Sequence, residues 1–234
     1  MDDALESTFA TCERELAAGR TPDLRALGFW RAVARVKRDQ GLIYRYADRI
    51  ARIDRETFRR RMRLRTGADV GAVLLWLGAA IGLLILGAAA AQGHPLRELG
   101  VLVGMGALLG ATHDLAHLLA GAVTGIRFTD WFMDLPRKPQ PGLKTDYASY
   151  LRARPRQRAW MHASGAIVSK IVPFAVVPYA LAIGCDAWAV WVLVAVGVVS
   201  IIIDVLFSVR ASDWKRFRRE MRLATPSRAS RTRP

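Results

Sequence analysis

The sequence predicts an all-α membrane protein with four transmembrane helices and a basic, helical, cytoplasmic N-terminal region. The chain of 234 residues is 52% hydrophobic and yet has a formal net charge of +15. Its apolar and cationic residues are segregated, because apolar runs such as residues 70–91 and 187–207 are long enough to span a bilayer. Such runs exclude an ordinary globular enzyme, a disordered chain and a coiled coil, which all need polar residues at regular intervals.

The apolar stretches define four spans and three polar segments. At a rise of about 1.5 Å per residue, each stretch can cross a hydrocarbon core of roughly 30 Å. The predicted membrane domain covers residues 68–209, with spans at 68–91, 99–126, 159–183 and 187–209. It is preceded by an amphipathic helical region at 1–67, interrupted by a loop at 127–158, and followed by a basic tail at 210–234.

The distribution of cations predicts the orientation. Lys and Arg number 16 in residues 1–66, eight in 127–158 and nine in 210–234, against one in 92–98 and none in 184–186. By the positive-inside rule, both termini and the middle loop are cytoplasmic, in what we expect to be a prokaryotic inner (plasma) membrane. Because topology accounts for the basic residues and no nucleic-acid-binding motif is evident, we predict no nucleic-acid partner.

The N-terminal region reads as two or three amphipathic helices. Apolar residues such as Phe29, Val33 and Val36 recur at helical spacing among arginines. A cationic helical region of this kind suits a helical cap, a partner-binding surface or contact with the anionic inner leaflet of a lipid bilayer. The middle loop combines aromatic residues, prolines and cations, which is typical of an interfacial segment, and it has no alternating strand pattern.

The second span carries ionisable residues, which are costly at bilayer depth unless they are paired, hydrated or metal-bound. His113 and His117 are four residues apart, so both imidazoles lie on one helix face and can hold one metal ion. Asp114 takes the place of glutamate in the His-Glu-x-x-His zinc motif, in which the acid accepts a proton from a metal-activated water. The pattern predicts a Zn2+ site with Asp114 as its catalytic residue.

A catalytic zinc site requires a third protein ligand. Asp204 is the best candidate, because it is the only acid well inside another span and lies within about 6 Å of the depth of His117. The predicted metal ligands are therefore His113, His117 and Asp204. Lys170, in the third span, offers an alternative, since an ion pair with Asp204 would remove that carboxylate from the site.

Residues 113–121 (His-Asp-Leu-Ala-His-Leu-Leu-Ala-Gly), with Gly-Ile-Arg-Phe at 125–128, resemble the zinc helix of the site-2-protease-type intramembrane zinc metalloproteases. The order of the parts is also similar. The resemblance covers about half of the chain and implies His113, His117 and Asp204 as ligands, with Asp114 as general base. It implies the cleavage of a membrane-embedded protein substrate near the cytoplasmic side.

The sequence departs from that family mainly in its aspartate, which is one methylene shorter than the usual glutamate. The family's Gly-Pro-x-x-Asn corresponds to residues 165–169, which lack the proline and the asparagine. Two other functions therefore stay open: a catalytically inactive membrane scaffold or regulator, and a haem protein that uses His113 or His117 with His162. The oligomeric state is open as well.

Overall fold

The structure is a computed structural model that describes residues 2–134, 138–206 and 212–224. It is mostly helical (76%) and divides into two compact units. The mixed unit, which contains helices and a sheet, comprises Met1–Ala68 and Gly125–Arg154. The long-helix unit comprises Asp69–Thr124 and Pro155–Pro234. The middle loop of the sequence therefore groups with the N-terminal region.

The elements follow one another along the chain as nine helices and three strands within the described residues. They are α1 (Asp3–Ala17), α2 (Phe29–Val36), α3 (Gln40–Arg61), β1 (Arg65–Gly67), α4 (Ala68–Ala89), α5 (Leu96–Thr124), β2 (Phe128–Asp134), β3 (Lys138–Thr145), α6 (Tyr147–Arg152), α7 (Pro155–Ala182), α8 (Ala187–Leu206) and α9 (Asp213–Ala224).

The mixed unit has an apolar core of the kind found in water-soluble domains. Phe9, Phe29 and Ile50 bring the inward faces of α1, α2 and α3 together and are fully buried. Asp39 precedes helix α3 as its N-cap, and its side chain accepts a hydrogen bond from the Leu42 N–H at 3.0 Å. This N-cap satisfies one of the donors that the first helical turn leaves free.

The mixed unit also contains a small sheet, which corrects the prediction of an all-α chain. Strands β1, β2 and β3 pair antiparallel in that order. Buried Asp130 on β2 faces Arg59 at 3.2 Å and Arg65 at 3.4 Å, and Phe132 packs edge-on against Phe58. The sheet is stabilised by these contacts with residues that are distant in sequence. Residues 128–145 themselves have no alternation of apolar and polar residues that would indicate a strand.

The long-helix unit contains four helices that are long and apolar enough to cross a membrane, namely α4, α5, α7 and α8. The four predicted spans are therefore confirmed as long apolar helices. Their ends differ from the prediction by up to four residues, because α5 and α7 begin earlier, at Leu96 and Pro155. The end of the fourth predicted span lies outside the described residues.

Glycines permit α4 and α5 to approach closely. A Cβ on Gly82 would meet the backbone oxygen of Gly104 at 3.1 Å, and a Cβ on Gly104 would meet the Leu86 side chain at 2.8 Å. Small residues of this kind are common between helices in lipid, where close van der Waals packing holds helices together. Gly106 and Gly110 differ, since a Cβ there would meet nothing within 4 Å.

Candidate metal centre

Three side chains of the long-helix unit converge on one point. Nε2 of His113 and Nε2 of His117 lie 3.4 and 3.3 Å from Oδ2 of Asp213, and one ligand atom from each residue lies within 4.8 Å of the other two. The two imidazoles project from successive turns of α5, and Asp213 is the first residue of α9. Tetrahedral zinc holds its ligand atoms roughly 3–4 Å apart, so this spacing suits the ion.

The hydrogen bond of His117 fixes its tautomer. Its Nδ1 lies 2.7 Å from the backbone oxygen of Met161 on α7. Because a carbonyl oxygen only accepts, Nδ1 must carry the proton and donate it. In the neutral imidazole, Nε2 is then an unprotonated acceptor that faces Asp213.

The same reasoning holds for His113. Its Nδ1 lies 2.8 Å from Oγ of Ser169, and the Ser169 hydroxyl donates its own hydrogen to the Gly165 backbone oxygen at 2.9 Å. The serine oxygen therefore accepts from His113 Nδ1, which leaves Nε2 as an acceptor. Bonds of this kind from the outer nitrogen commonly orient metal-binding histidines.

The inward-facing atoms of the triad are thus three acceptors: two imidazole nitrogens and one carboxylate oxygen. Lone pairs at these distances repel one another unless a proton or a cation lies between them. Two imidazoles and a carboxylate are a common ligand set for zinc, and they leave a fourth coordination position for water or substrate. The residues present therefore fit a zinc ion.

Gly165 of α7 provides the space for the His117 ring. A Cβ at this position would lie 2.4 Å from His117 Nε2, closer than any normal contact. Any larger residue at 165 would push the imidazole away from the triad. The packing of the site therefore requires glycine at position 165.

Asp114 lies beside the triad and is almost fully buried, with 5% exposure. Within the part of the chain that the structure describes, its Oδ2 has no hydrogen-bond partner. A buried carboxylate oxygen without a partner is costly, and such groups concentrate at functional sites. The side chain interacts electrostatically with His113, His117 and Asp213, which places it near the triad.

Asp213 has further neighbours on its other oxygen. Oδ1 lies 3.6 Å from the guanidinium of Arg216 and 3.9 Å from Nδ1 of His162, a buried residue of α7. Burial raises the pKa of Asp213, but its interactions with the imidazoles of His113 and His117 and with the charge of Arg216 outweigh burial, so the pKa lies well below its ordinary value. The carboxylate is therefore ionised, as a metal ligand has to be.

An ion pair between α7 and α9 holds Asp213 in place. Arg158 Nε donates to Glu220 Oε2 at 2.8 Å, and both side chains are almost fully buried. On the same two helices, Trp160 packs edge-on against Phe217. The N-terminus of α9 is capped by Ser212, whose hydroxyl oxygen accepts from the Lys215 N–H at 3.3 Å.

The structure places Asp204 apart from the triad. Its Oδ2 accepts a hydrogen bond from Lys170 Nζ, which also donates to the Ala166 backbone oxygen at 3.0 Å. Lys170 of α7 and Asp204 of α8 thus form the ion pair that was the alternative prediction from the sequence. Asp213 therefore replaces Asp204 as the carboxylate beside His113 and His117.

The sequence reasoning missed Asp213 because it searched for a third ligand only inside the apolar spans. Asp213 stands in a basic tail, where a single acid gives no hydropathy signal. One local signal was present: Ser212 before a run of amphipathic residues is typical of a helix start, and it places Asp213 in the first helical turn.

No protein-family model, curated protein or solved structure matches the chain.

Proposed function

We propose that the chain is an integral membrane protein that binds one zinc ion through His113, His117 and Asp213 and hydrolyses peptide bonds of membrane proteins. The observation that carries this proposal is the convergence of three acceptor atoms on one point. The two neutral imidazoles have no proton left for this point, because each uses its Nδ1 hydrogen on Met161 or Ser169. The proposal takes Asp213, and not Asp204, as the third ligand. The family resemblance of residues 113–121 supports the same chemistry.

Zinc, when bound, supplies a Lewis acid and activates a water molecule for attack on a carbonyl group. The residues of the chain then have separate roles. His113 and His117 orient the ion, because their Nδ1 atoms are held by Ser169 and by Met161. Asp114 takes the proton of the attacking water, a role that suits a buried carboxylate with an oxygen that no hydrogen bond occupies.

The charge distribution supports a site near the cytoplasmic surface. The basic residues flank the apolar helices on the side where both termini would lie by the positive-inside rule. Asp213 follows the fourth span, so the triad would lie where that helix leaves the membrane. The His113 side chain is 35% exposed, so the site is not closed off by the surrounding helices. We therefore infer a substrate cut near the cytoplasmic face.

The test measures zinc content and peptidase activity of the full chain in liposomes, with a tagged single-span membrane protein as the probe substrate. His113→Ala should lose the zinc ion of the triad and the activity, because it removes a ligand. Asp114→Asn should retain zinc and lose activity by a factor of about 10²–10⁴, because only proton transfer is lost. Asp204→Asn, which leaves the triad unchanged, should keep its zinc and is the control for the ligand assignment.

Asp114→Glu tests whether the short acid is functional. If the site has adapted to aspartate, the longer side chain should be neutral or harmful. Recovery of cleavage in an otherwise inactive chain would indicate a decayed protease. Absence of cleavage by both the wild type and Asp114→Glu, with zinc bound, would contradict the peptidase proposal.

A second candidate is a non-catalytic membrane scaffold. It is favoured by the contacts of Asp213, whose Oδ1 lies near Arg216 and His162. The charge of Arg216 can balance the carboxylate, and the two contacts can hold α9 against the neighbouring helices without any chemistry. A chain that folds normally and retains zinc but cleaves no membrane substrate would favour this function.

A further inference from the structure

A second group of histidine and carboxylate side chains lies at the other end of α5. Nδ1 of His94 is 3.4 Å from Glu98 Oε2 and 3.0 Å from Asp186 Oδ2, and one ligand atom from each residue lies within 4.8 Å of the others. Glu98 precedes His113 by 15 residues, or about 22 Å along the helix. The group is therefore separate from the triad of the proposed function.

Glu98 is the buried member of this group, at 1% exposure. Its Oε1 accepts a hydrogen bond from the Asp186 N–H at 3.2 Å. Its Oε2 points toward His94 but has no hydrogen bond to any residue that the structure describes. A desolvated carboxylate oxygen of this kind requires a donor or a cation.

The nearby Arg97 is engaged elsewhere. Its Nη1 donates to the Gly184 backbone oxygen at 2.9 Å and its Nε to the Gln92 backbone oxygen at 3.0 Å. The guanidinium thus joins the two short connections of the long-helix unit, α4–α5 and α7–α8. It brings Asp186 and Glu98 together without bonding to either carboxylate.

A single hydrogen on His94 cannot satisfy both acids. Its Nδ1 carries one hydrogen, which can be directed at Asp186 Oδ2 or at Glu98 Oε2 but not fully at both. A metal ion at the same position would contact all three atoms at once. One imidazole and two carboxylates are ligands that divalent transition metals such as zinc accept.

We propose that His94, Glu98 and Asp186 bind a divalent transition-metal ion that joins the α4–α5 and α7–α8 connections. Two features favour it: the backbone bonds of Arg97 and Asp186 preform the geometry, and His94 and Asp186 are more than half exposed, so an ion can enter from solvent. By the inferred topology, this site lies on the side of the membrane opposite the triad. The inference does not depend on the proposed peptidase activity.

The test uses zinc as the probe and the full chain in detergent or lipid nanodiscs. His113→Ala with His117→Ala removes the triad, and zinc is then measured by elemental analysis after dialysis. We expect about one zinc per chain in this background and about none when Glu98→Gln is added. Asp69→Asn, an exposed acid of α4, is the matched control and should leave the zinc in place.

Two readouts keep the outcomes distinct. Glu98 is buried, so Glu98→Gln could also disturb folding, and His94→Ala at an exposed position serves as the second variant. Zinc should raise the unfolding temperature of the triad-free chain but not that of the triad-free chain with His94→Ala. A triad-free chain without zinc, or with zinc that survives both Glu98→Gln and His94→Ala, would overturn the inference. If the chain without His113 and His117 contains as much zinc as the wild type, the peptidase proposal is contradicted and this inference stands.

Discussion

The mixed unit and the long-helix unit differ in where their large apolar side chains lie. The core of the mixed unit is made of residues such as Phe9 and Ile50, and its arginines lie at the periphery. In the long-helix unit, ionisable groups such as Arg158, Glu98 and Asp114 are buried, while Trp191 and Leu84 are exposed. The first pattern is typical of a domain surrounded by water, and the second is the one expected of helices surrounded by lipid.

This difference decides what a single substitution does. In the mixed unit, the driving force is apolar burial, so the loss of a core side chain costs transfer and cavity energy. In the long-helix unit, large apolar side chains such as Leu84 face outward, so we expect buried polar pairs to have the larger part in deciding which helices meet. Each of the following substitutions tests one side of that contrast.

Arg158→Ala is expected to have the largest effect. It removes the buried partner of the Glu220 carboxylate, which costs about 3–5 kcal/mol, and α9 should detach together with Asp213. The measurements are hydrogen exchange of α9 and zinc content. Arg219→Ala removes the exposed partner of the same glutamate, 3.8 Å away, and should cost no more than about 1 kcal/mol. Equal effects of the two variants would contradict the importance of burial.

Ile50→Ala should produce a comparable or smaller loss in the mixed unit. Removal of this fully buried side chain costs about 2–5 kcal/mol, and hydrogen exchange of α1–α3 should accelerate accordingly. Zinc content should stay unchanged, because no ligand belongs to this unit. Tyr44→Ala on the same helix is the control, since Tyr44 is 87% exposed. A loss of zinc in Ile50→Ala would show that the two units depend on each other.

Gly165→Ala should weaken zinc binding with little loss of helix. The new Cβ would lie 2.4 Å from His117 Nε2, so the ring must turn away, and an affinity loss of about 10–100-fold is expected for a misoriented ligand. Zinc titration of the purified chain provides the measurement. Gly106→Ala makes the same change where nothing lies within 4 Å, and it should bind zinc normally. Normal affinity in Gly165→Ala would contradict the assigned position of His117.

The smallest expected effect is an acid dependence of the mixed unit. Hydrogen bonds from Arg49 lower the pKa of Glu13 and of Glu6, although burial opposes them. A lowered carboxyl pKa gives stability that is present above the ordinary glutamate value of about 4.3 and is lost as pH falls through the folded pKa.

Unfolding of α1–α3 should therefore become easier at acid pH, and Arg49→Met should flatten that dependence. The effect is small because the ion pairs are partly solvated. Hydrogen exchange measured across the acid range would detect it. An unchanged pH profile in Arg49→Met would exclude this ion-pair cluster as the cause.

The sequence by itself determined the four long apolar helices and the pairing of His113 with His117, because hydropathy and helical periodicity are local properties. It also offered both alternatives for Asp204, since an ion pair with Lys170 depends only on one acid and one base at similar depth. It did not predict the sheet, whose strands are stabilised by Arg59 and Phe58, distant in sequence from Asp130 and Phe132.

Only the tertiary structure decided which carboxylate completes the triad. Asp213 reaches the histidines because the buried pair of Arg158 and Glu220 docks α9 on α7, and the Gly165 position leaves room for the His117 ring. Both depend on contacts between segments that are about 50 to 60 residues apart in the chain. Contacts of that range are set by the complementarity of packed surfaces, which no pattern within a single segment records.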